Sequence, residues 1–350
     1  MNYAPKGVVN RVVEDGEYFF SVTALNHGHI NGMVNGLLEA GATLKYVFDP
    51  DDDRVNDFIK SYPTATKVDS LDVILNDKDT KLVAAAAIPS DRSSIGIKVM
   101  KAGKDYFTDK TPFTTLEQIE SVRKVISETN KRYFVYYSEL IHVESAVYAK
   151  QLVDSGKIGR VLQVLGLGPH RLSADSRPDW FFNKEQYGGI LCDIGCHNIY
   201  QFLEYANIDN AKVLHSKVAN YNNPKYPELE DFGDATLIGD NGATNYFRVD
   251  WFTPDGLSSW GDGRLTILGT DGYIELRKYL DPGKSDVGDN VILVNHEGES
   301  FNNVNGKVGF PFFGELILDS LNGTDIAQNQ ERALKASELS IVAELNALKI

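Results

Sequence analysis

The chain of 350 residues contains only two cysteines, Cys192 and Cys196. Their four-residue separation suits one face of a helix better than a bridge, so no disulfide framework is expected and a reducing, cytoplasmic compartment fits. No run of ~18 uncharged apolar residues occurs, which argues against a membrane-spanning helix. The opening residues, MNYAPKGVVNRVVEDGEYFF, carry charges where a signal peptide needs an apolar core. Basic side chains are in deficit: 35 Lys and Arg stand against 49 Asp and Glu, a formal charge of −14. A field of that sign repels phosphate backbones and anionic headgroups, so neither nucleic acid nor a membrane surface is an expected partner. Internal repeats and composition-biased linkers are missing too. What remains, 42% apolar and 24% charged residues, is ordinary for a soluble enzyme of about two domains.

Over the first part of the chain, strand and helix patterns alternate. YFFSVTAL (18–25) is apolar almost throughout, as a strand buried on both faces of a parallel sheet must be. Ile30, Met33, Val34, Leu37 and Leu38 follow at helical spacing on one face, with Gly41 at the C-terminal cap. TLKYVFD (43–49), LVAAAAI (82–88), DYFTD (105–109) and YFVYYSE (133–139) continue the strands. Because β-α-β units are almost always right-handed crossovers between parallel strands, residues 1–138 are expected to form a doubly wound Rossmann domain. Beyond about residue 158 the pattern changes. In NYFRVDWF, Phe247, Val249 and Trp251 face one way while Tyr246, Arg248 and Asp250 face the other. VLQVLGLG, AKVLHSKVANY, DATLIGD, RLTILGT and DGYIELRK read similarly. Residues 139–350 are therefore expected to form an α+β domain with a large, mainly antiparallel open sheet. Helices are expected near 191–205 and at the C-terminus, the last a candidate to pack back on the first domain. The fold class is α/β.

A dinucleotide fold ordinarily carries a glycine-rich turn after its first strand, because the pyrophosphate approaches the backbone at the next helix N-terminus. Laying G-x-G-x-x-G on ALNHGH puts Ala24, Asn26 and His29 at the glycine positions, with Gly28 between them. The acidic residue expected about 20 residues later is present as Asp49, where a carboxylate can accept from a ribose diol and would repel a 2′-phosphate. NAD is thus expected ahead of NADP. The simpler meaning of Asp49-Pro50 is a turn. The candidate cofactor contacts are Asn26, His27, Gly28, His29, Ile30 and Asp49, then Ile88 and Pro89 after the LVAAAA run, and Asp109 and Lys110 after DYFT. Side-chain donors at the helix N-terminus can replace part of the backbone approach that glycines would allow.

Three segments carry further chemistry: DYFTDKTP, LVDSGKIGRV and GGILCDIGCHNIYQF. Together with RLTILGTDGYIEL, and in this order and spacing, they make the chain similar to the glucose-fructose oxidoreductase and inositol dehydrogenase (Gfo/Idh/MocA) family. The resemblance implies a Rossmann domain, a substrate domain, and joint action of Lys110, Asp193 and His197, with Gly156, Gly159, Gly188, Gly189 and Gly195 at family glycines. Asp109 stands where the family's E-K-P motif has glutamate, and Thr111 where it has proline, with Pro112 one place late. A cis lysine–proline bond is therefore not carried over. Leu140 and Ile141 follow YFVYYSE where the family often has arginines. Relatives associate through the second sheet, so a homodimer, or a tetramer of such dimers, is expected through that sheet.

The same residues make chemical sense on their own. On a helix, Asp193 and His197 are i and i+4, on one face. A histidine with a pKa of about 6.5 can take the proton of an alcohol as the carbon gives up hydride. A neighbouring carboxylate can orient the hydroxyl or the ring, and a lysine can hydrogen-bond the oxygen on which charge develops. The bland readings are a core histidine and a solvated strand-end lysine. In GPHRLSADSRPDWFF, His170 and Arg177 can bond hydroxyls and Trp180 can stack on a sugar face; a loop anchored by its aromatic residues fits equally well. Cys192, Asp193, Cys196 and His197, with Glu185 or His170, raise the idea of a metal site. Adjacent i,i+4 pairs diverge by ~100° on a helix, however, and no metal is expected. The function expected is NAD-dependent hydride transfer between nicotinamide and a secondary alcohol of a sugar, cyclitol or related polyol. The alternative is a non-catalytic sensor that binds a dinucleotide or sugar on the same fold.

Overall fold

In the computed structural model, which describes residues 10–350, the chain forms two units. The first takes in the described residues up to Tyr136 and, from much later in the chain, Phe310–Ala333. Its elements alternate: β1 (Phe19–Thr23), α1 (His29–Glu39), β2 (Thr43–Phe48), α2 (Asp52–Ser61), β3 (Thr66–Lys67), α3 (Leu71–Asn76), β4 (Thr80–Ala85), α4 (Pro89–Lys101), β5 (Asp105–Asp109), α5 (Leu116–Thr129) and β6 (Tyr133–Tyr136). The strands lie in the order β3-β2-β1-β4-β5-β6, and every neighbouring pair is parallel. Strand order therefore reverses between β1 and β4, and the carboxyl edge at such a reversal is where open α/β sheets bind ligands. All nine residues of β5 and β6 are buried, which explains their unbroken apolar runs. On α1 the spaced residues Ile30, Met33, Val34 and Leu37 are buried. The returning segment supplies a helix, Pro311–Asn322, whose Phe313 ring fills the space over Gly36 so closely that a Cβ there would lie 2.3 Å from it.

The second unit comprises residues 137–309 and 334–350. It begins with α6 (Ser138–Ile141) and α7 (Glu144–Asp154), followed by β7 (Val161–Pro169), α8 (Lys184–Tyr187) and α9 (Cys196–Tyr205). Then come β8 (Ala211–Ala219), β9 (Phe232–Gly239), β10 (Thr244–Asp250), β11 (Arg264–Gly269), β12 (Gly272–Arg277), β13 (Asn290–Asn295) and β14 (Gly298–Asn303). The remaining elements are α10 (Pro311–Asn322, in the first unit), α11 (Gln330–Leu345) and β15 (Leu348–Lys349). Nine strands form one sheet in the order β14-β13-β12-β11-β7-β10-β9-β8-β15. The β7–β10 and β8–β15 pairs are parallel, and the other pairs are antiparallel.

The alternation in NYFRVDWF is present: Phe247, Val249 and Trp251 are buried and Tyr246 is exposed. Asp250 differs from the outward placement expected for it. It is buried at the end of its strand, pairs with Arg248 at 3.1 Å and accepts a hydrogen bond from the Phe252 N–H at 3.0 Å. The helix expected as one piece near 191–205 also differs, because it opens with a π turn over Leu191–Gly195 before α9 begins. Helix α9 is almost wholly buried. Glycines let it lie close to the sheet: a Cβ at Gly166 of β7 would meet Asn198 Oδ1 at 1.9 Å, and one at Gly195 would meet the Phe247 ring at 3.0 Å.

Candidate functional site

At the end of β1, Ala24 adopts φ 53°, a left-handed conformation that glycine enters freely and other residues rarely. The first position of the missing glycine turn thus keeps a glycine-like backbone. The ladder between β1 and β4 runs on past it, with the Ala86 N–H donating to Ala24 O at 3.0 Å and the His27 N–H to Ala86 O at 3.0 Å. Asn26 and His27 are half-buried and Gly28 is exposed, while Ile30 points into the core. Ile88 is half-buried and Pro89 opens α4.

His27 and His29 converge on Asp109 at the end of β5. His29 Nδ1 lies 2.8 Å from Oδ1 and His27 Nδ1 3.3 Å from Oδ2, with the two rings edge to face at 4.2 Å. Arg92 of α4, itself buried, donates to Asp109 Oδ2 at 3.1 Å, to Ala87 O at 2.8 Å, to Thr111 O at 3.0 Å and to Lys110 O. The Lys110 N–H closes the group by donating to Asp109 Oδ1 at 2.8 Å. Lys110 is buried, and the peptide between it and Thr111 is cis, although Thr111 replaces the family's proline. Burial and the neighbouring His29 lower the pKa of His27 to about 4. Burial pushes the Asp109 carboxyl up, but His29, Arg92 and His27 hold it well below the usual carboxylate range. The two histidines and the aspartate present ligand atoms within 4.8 Å of one another, a set that a metal could use. Arg92 already neutralises that carboxylate, however, and the charge of Lys110 acts on His27. Such surroundings suit an anion such as a pyrophosphate better than a cation.

Asp49 sits where the sequence puts it, just past β2, but its carboxylate faces inward. Oδ2 accepts from the Leu25 N–H at 2.7 Å, and Oδ1 accepts from the Asp51 N–H at 2.9 Å and from Arg54 Nη2 at 2.7 Å. Its side chain is 0% exposed, whereas that of Arg54 is 37% exposed. The outermost charged group of this pair is therefore a guanidinium, which spacing alone does not reveal.

In the second unit, Gly188 and Gly189 (φ 88° and 93°) turn the chain from α8 into the π turn. Two buried carboxylates cap that turn: Glu230 Oε2 accepts from the Ile190 N–H at 3.0 Å and Glu344 Oε2 from the Leu191 N–H at 3.2 Å. Lys184 Nζ donates to Glu344 Oε1 at 2.7 Å and to Glu230. Burial and the adjacent Glu230 push the Glu344 carboxyl above its usual range. Asp193 is half-exposed in the π turn, and His197 is buried one residue into α9, its ring edge-on to Tyr137 at 6.1 Å. Cys192 and Cys196 are buried thiols.

The polyol-type loop divides. Arg177 donates to Leu172 O at 2.9 Å and lies over the rings of Phe181 (4.5 Å) and Trp251 (5.1 Å), while Trp180 packs edge-on against Phe181. These two anchor the loop. His170 instead has Nδ1 3.1 Å from Gly168 O and Nε2 3.9 Å from Glu139 Oε1. Glu139 and its ion-pair partner Lys278, 2.8 Å apart and both buried, were not visible from sequence. The one available signal was an acidic residue inside the apolar stretch YFVYYSELI.

Comparison with known proteins agrees with this architecture. Residues 26–137 match the model described as oxidoreductase family, NAD-binding Rossmann fold, and residues 146–275 match the GFO/IDH/MocA C-terminal domain. A crystal structure from Erwinia carotovora atroseptica SCRI1043, provisionally described as an oxidoreductase, is 48% identical, with a TM-score of 0.92 and coverage of 95% of this chain and 100% of that one. An oxidoreductase from Agrobacterium radiobacter, solved with NAD+, L-tartaric acid and magnesium, shares the fold with a TM-score of 0.79 at 15% identity, covering 95% of this chain and 96% of its own. D-xylose dehydrogenase from Paenarthrobacter nicotinovorans is 26% identical over 208 residues, 58% of this chain and 52% of the relative. The chain thus spans about half the length of that curated relative.

Proposed function

The chain belongs to the Gfo/Idh/MocA oxidoreductase family, and from that premise we propose that it is an NAD-dependent dehydrogenase acting on a secondary alcohol of a sugar, cyclitol or related polyol. The observation that carries the reading is Lys110, buried directly after β5 beside an Asp109 that Arg92 and two histidines fix in place. A lysine at the carboxyl edge of a dinucleotide-type sheet stands where a reacting oxygen needs a hydrogen-bond donor. NAD, when bound, supplies the hydride acceptor. Asn26, His27, Gly28 and His29 would hold its pyrophosphate end, with side-chain donors replacing the lost glycine contacts.

The chain's own residues handle the proton. His197 is the proposed acceptor of the substrate hydroxyl proton, with Asp193 orienting the hydroxyl or the imidazole, and Lys110 is the proposed hydrogen-bond donor to an oxygen on which charge develops. A sugar-type substrate is supported by the curated relative named D-xylose dehydrogenase. The test is a panel of aldoses and inositols with NAD, followed by the absorbance of reduced nicotinamide. Turnover of at least one supports the reading. Tight NAD binding in calorimetry with no turnover across the panel would favour a non-catalytic dinucleotide sensor.

A further inference from the structure

A buried carboxylate with an unused oxygen costs stability unless something completes it. Glu139 of α6, 5% exposed, is such a group. Its Oε2 accepts from Lys278 Nζ at 2.8 Å, and the same ammonium donates to Gln201 Oε1 at 2.8 Å. Gln201 Nε2 in turn donates to the main-chain oxygen of His197, one turn earlier on α9, at 3.0 Å. Glu139 Oε1 has no hydrogen-bond partner among the described residues, and His170 Nε2 stands 3.9 Å from it.

The His170 ring is constrained at its other nitrogen. Nδ1 lies 3.1 Å from Gly168 O, and because a carbonyl only accepts, that nitrogen carries the hydrogen. Without a proton, Nε2 would turn a lone pair toward a buried anion. With one, the imidazolium faces Glu139 Oε1 at ion-pair distance. The charge on Glu139 is secure: burial favours the neutral acid, but Lys278, His197 and His170 together hold the carboxyl well below its ordinary range. The ionisable groups facing it are Lys278 after β12, His170 after β7 and His197 on α9, with Gln201 the neutral partner of the lysine.

We propose that Glu139 is a positioning residue: a fixed anion, anchored by Lys278, that keeps a proton on His170 and makes His197 a stronger base than its burial alone would leave it. The kinetic part of this proposal rests on the dehydrogenase reading; the electrostatic part does not. When the proton of the alcohol passes to His197, the carboxylate stabilises the resulting imidazolium.

Glu139→Gln removes the charge while leaving an oxygen for Lys278. Histidine ring resonances of the full-length protein without ligand, titrated by NMR and assigned with His170→Asn and His197→Asn, are the readout. Both midpoints are expected to fall by about one pH unit or more in E139Q. Unchanged or raised midpoints overturn the proposal, whether or not any alcohol is oxidised. In the enzyme assay, the acid limb of the kcat/KM profile is expected to move to lower pH by a similar amount. A lower kcat with the limb in place would mean that Glu139 only supports the fold, and would also overturn the proposal. Should E139Q not fold, E139D withdraws the same charge by one methylene. A smaller fall in both midpoints is then expected, and no fall counts against the idea. Lack of turnover on every alcohol would bear on the dehydrogenase reading alone, since the NMR titration needs no substrate.

Discussion

His29 Nδ1 lies 2.8 Å from Asp109 Oδ1, tying the first residue of α1 to the last residue of β5. His27 shares the other oxygen and remains neutral, because burial and His29 hold its pKa near about 4. An exposed histidine titrates at about 6.5, so between those values the unfolded chain binds a proton that the folded chain refuses. Stability contributed by the neutral ring is therefore complete above that window and falls with pH through it, by up to ~3 kcal/mol in acid. Denaturant melts near neutrality and in mild acid check this: His27→Gln is expected to lose less on acidification than the wild type. Equal losses would count against it.

Turnover is expected to fall by ~100-fold or more in His197→Ala and in Lys110→Ala, with melting behaviour and calorimetric NAD affinity close to wild type. A wild-type rate in either variant removes that residue from the chemistry.

Much of the fold was legible because burial is written in the sequence period. Strands β5 and β6, buried on both sides, read as unbroken apolar runs, and α1 shows its core face as a helical stripe. Lys110, Asp193 and His197 came from a family likeness rather than from periodicity. What escaped notice was set by distant or subtle causes. Strand β3 has two exposed residues and no apolar signal. A π turn differs from an α turn in backbone hydrogen bonding, not in composition. Glu139 finds Lys278 from 139 residues away, and Arg54 covers Asp49 through a rotamer that no spacing rule contains.

Gly189→Ala is expected to destabilise by roughly 1–3 kcal/mol from its left-handed backbone alone, with an added cost because its Cβ would lie 2.4 Å from the Glu344 carboxyl carbon. Gly156→Ala is the control. It has a similar φ of 75° and nothing within 4 Å of the added Cβ, so only the backbone cost applies. Thermal melts of both variants separate the two contributions, and equal losses would show that Glu344 yields freely.

For the cofactor, NAD is expected to bind at least tenfold more tightly than NADP, ~1.4 kcal/mol. Arg54→Ala is expected to widen that preference, since it removes a guanidinium able to attract a 2′-phosphate and uncovers the Asp49 carboxylate. Calorimetry with both dinucleotides decides, and a narrowed preference in the variant would refute the assignment.

The outer face of the second sheet carries Leu165, Leu167, Tyr246, Leu268, Tyr273 and Phe301, all exposed. Tyr246 lies opposite Leu165, and Tyr273 opposite Leu268, so these side chains adjoin across neighbouring strands. Arg248 and Arg264 stand opposite Leu167, and such a mixed face of apolar, aromatic and arginine side chains is what identical subunits bury. A homodimer, or a tetramer built from such dimers, is expected by light scattering, and Tyr246→Glu combined with Leu268→Glu should yield single chains. A wild-type mass of one chain at micromolar concentration would exclude the assembly.

The return of residues 310–333 to the first unit sets an order of events for a chain made from its N-terminus. Strand β6 is an edge strand, and the Gln328 side chain occupies its open side by accepting from the Val135 N–H at 2.8 Å and donating to Val135 O at 3.0 Å. Phe313 closes the notch over Gly36. Neither residue exists until every strand through β14 has been synthesised. The N-terminal unit, the first of the two to leave the ribosome, thus stays incomplete until residues 137–309 of the second have been made. It must carry an unprotected strand edge through most of translation, a form that chaperones and neighbouring nascent chains can engage.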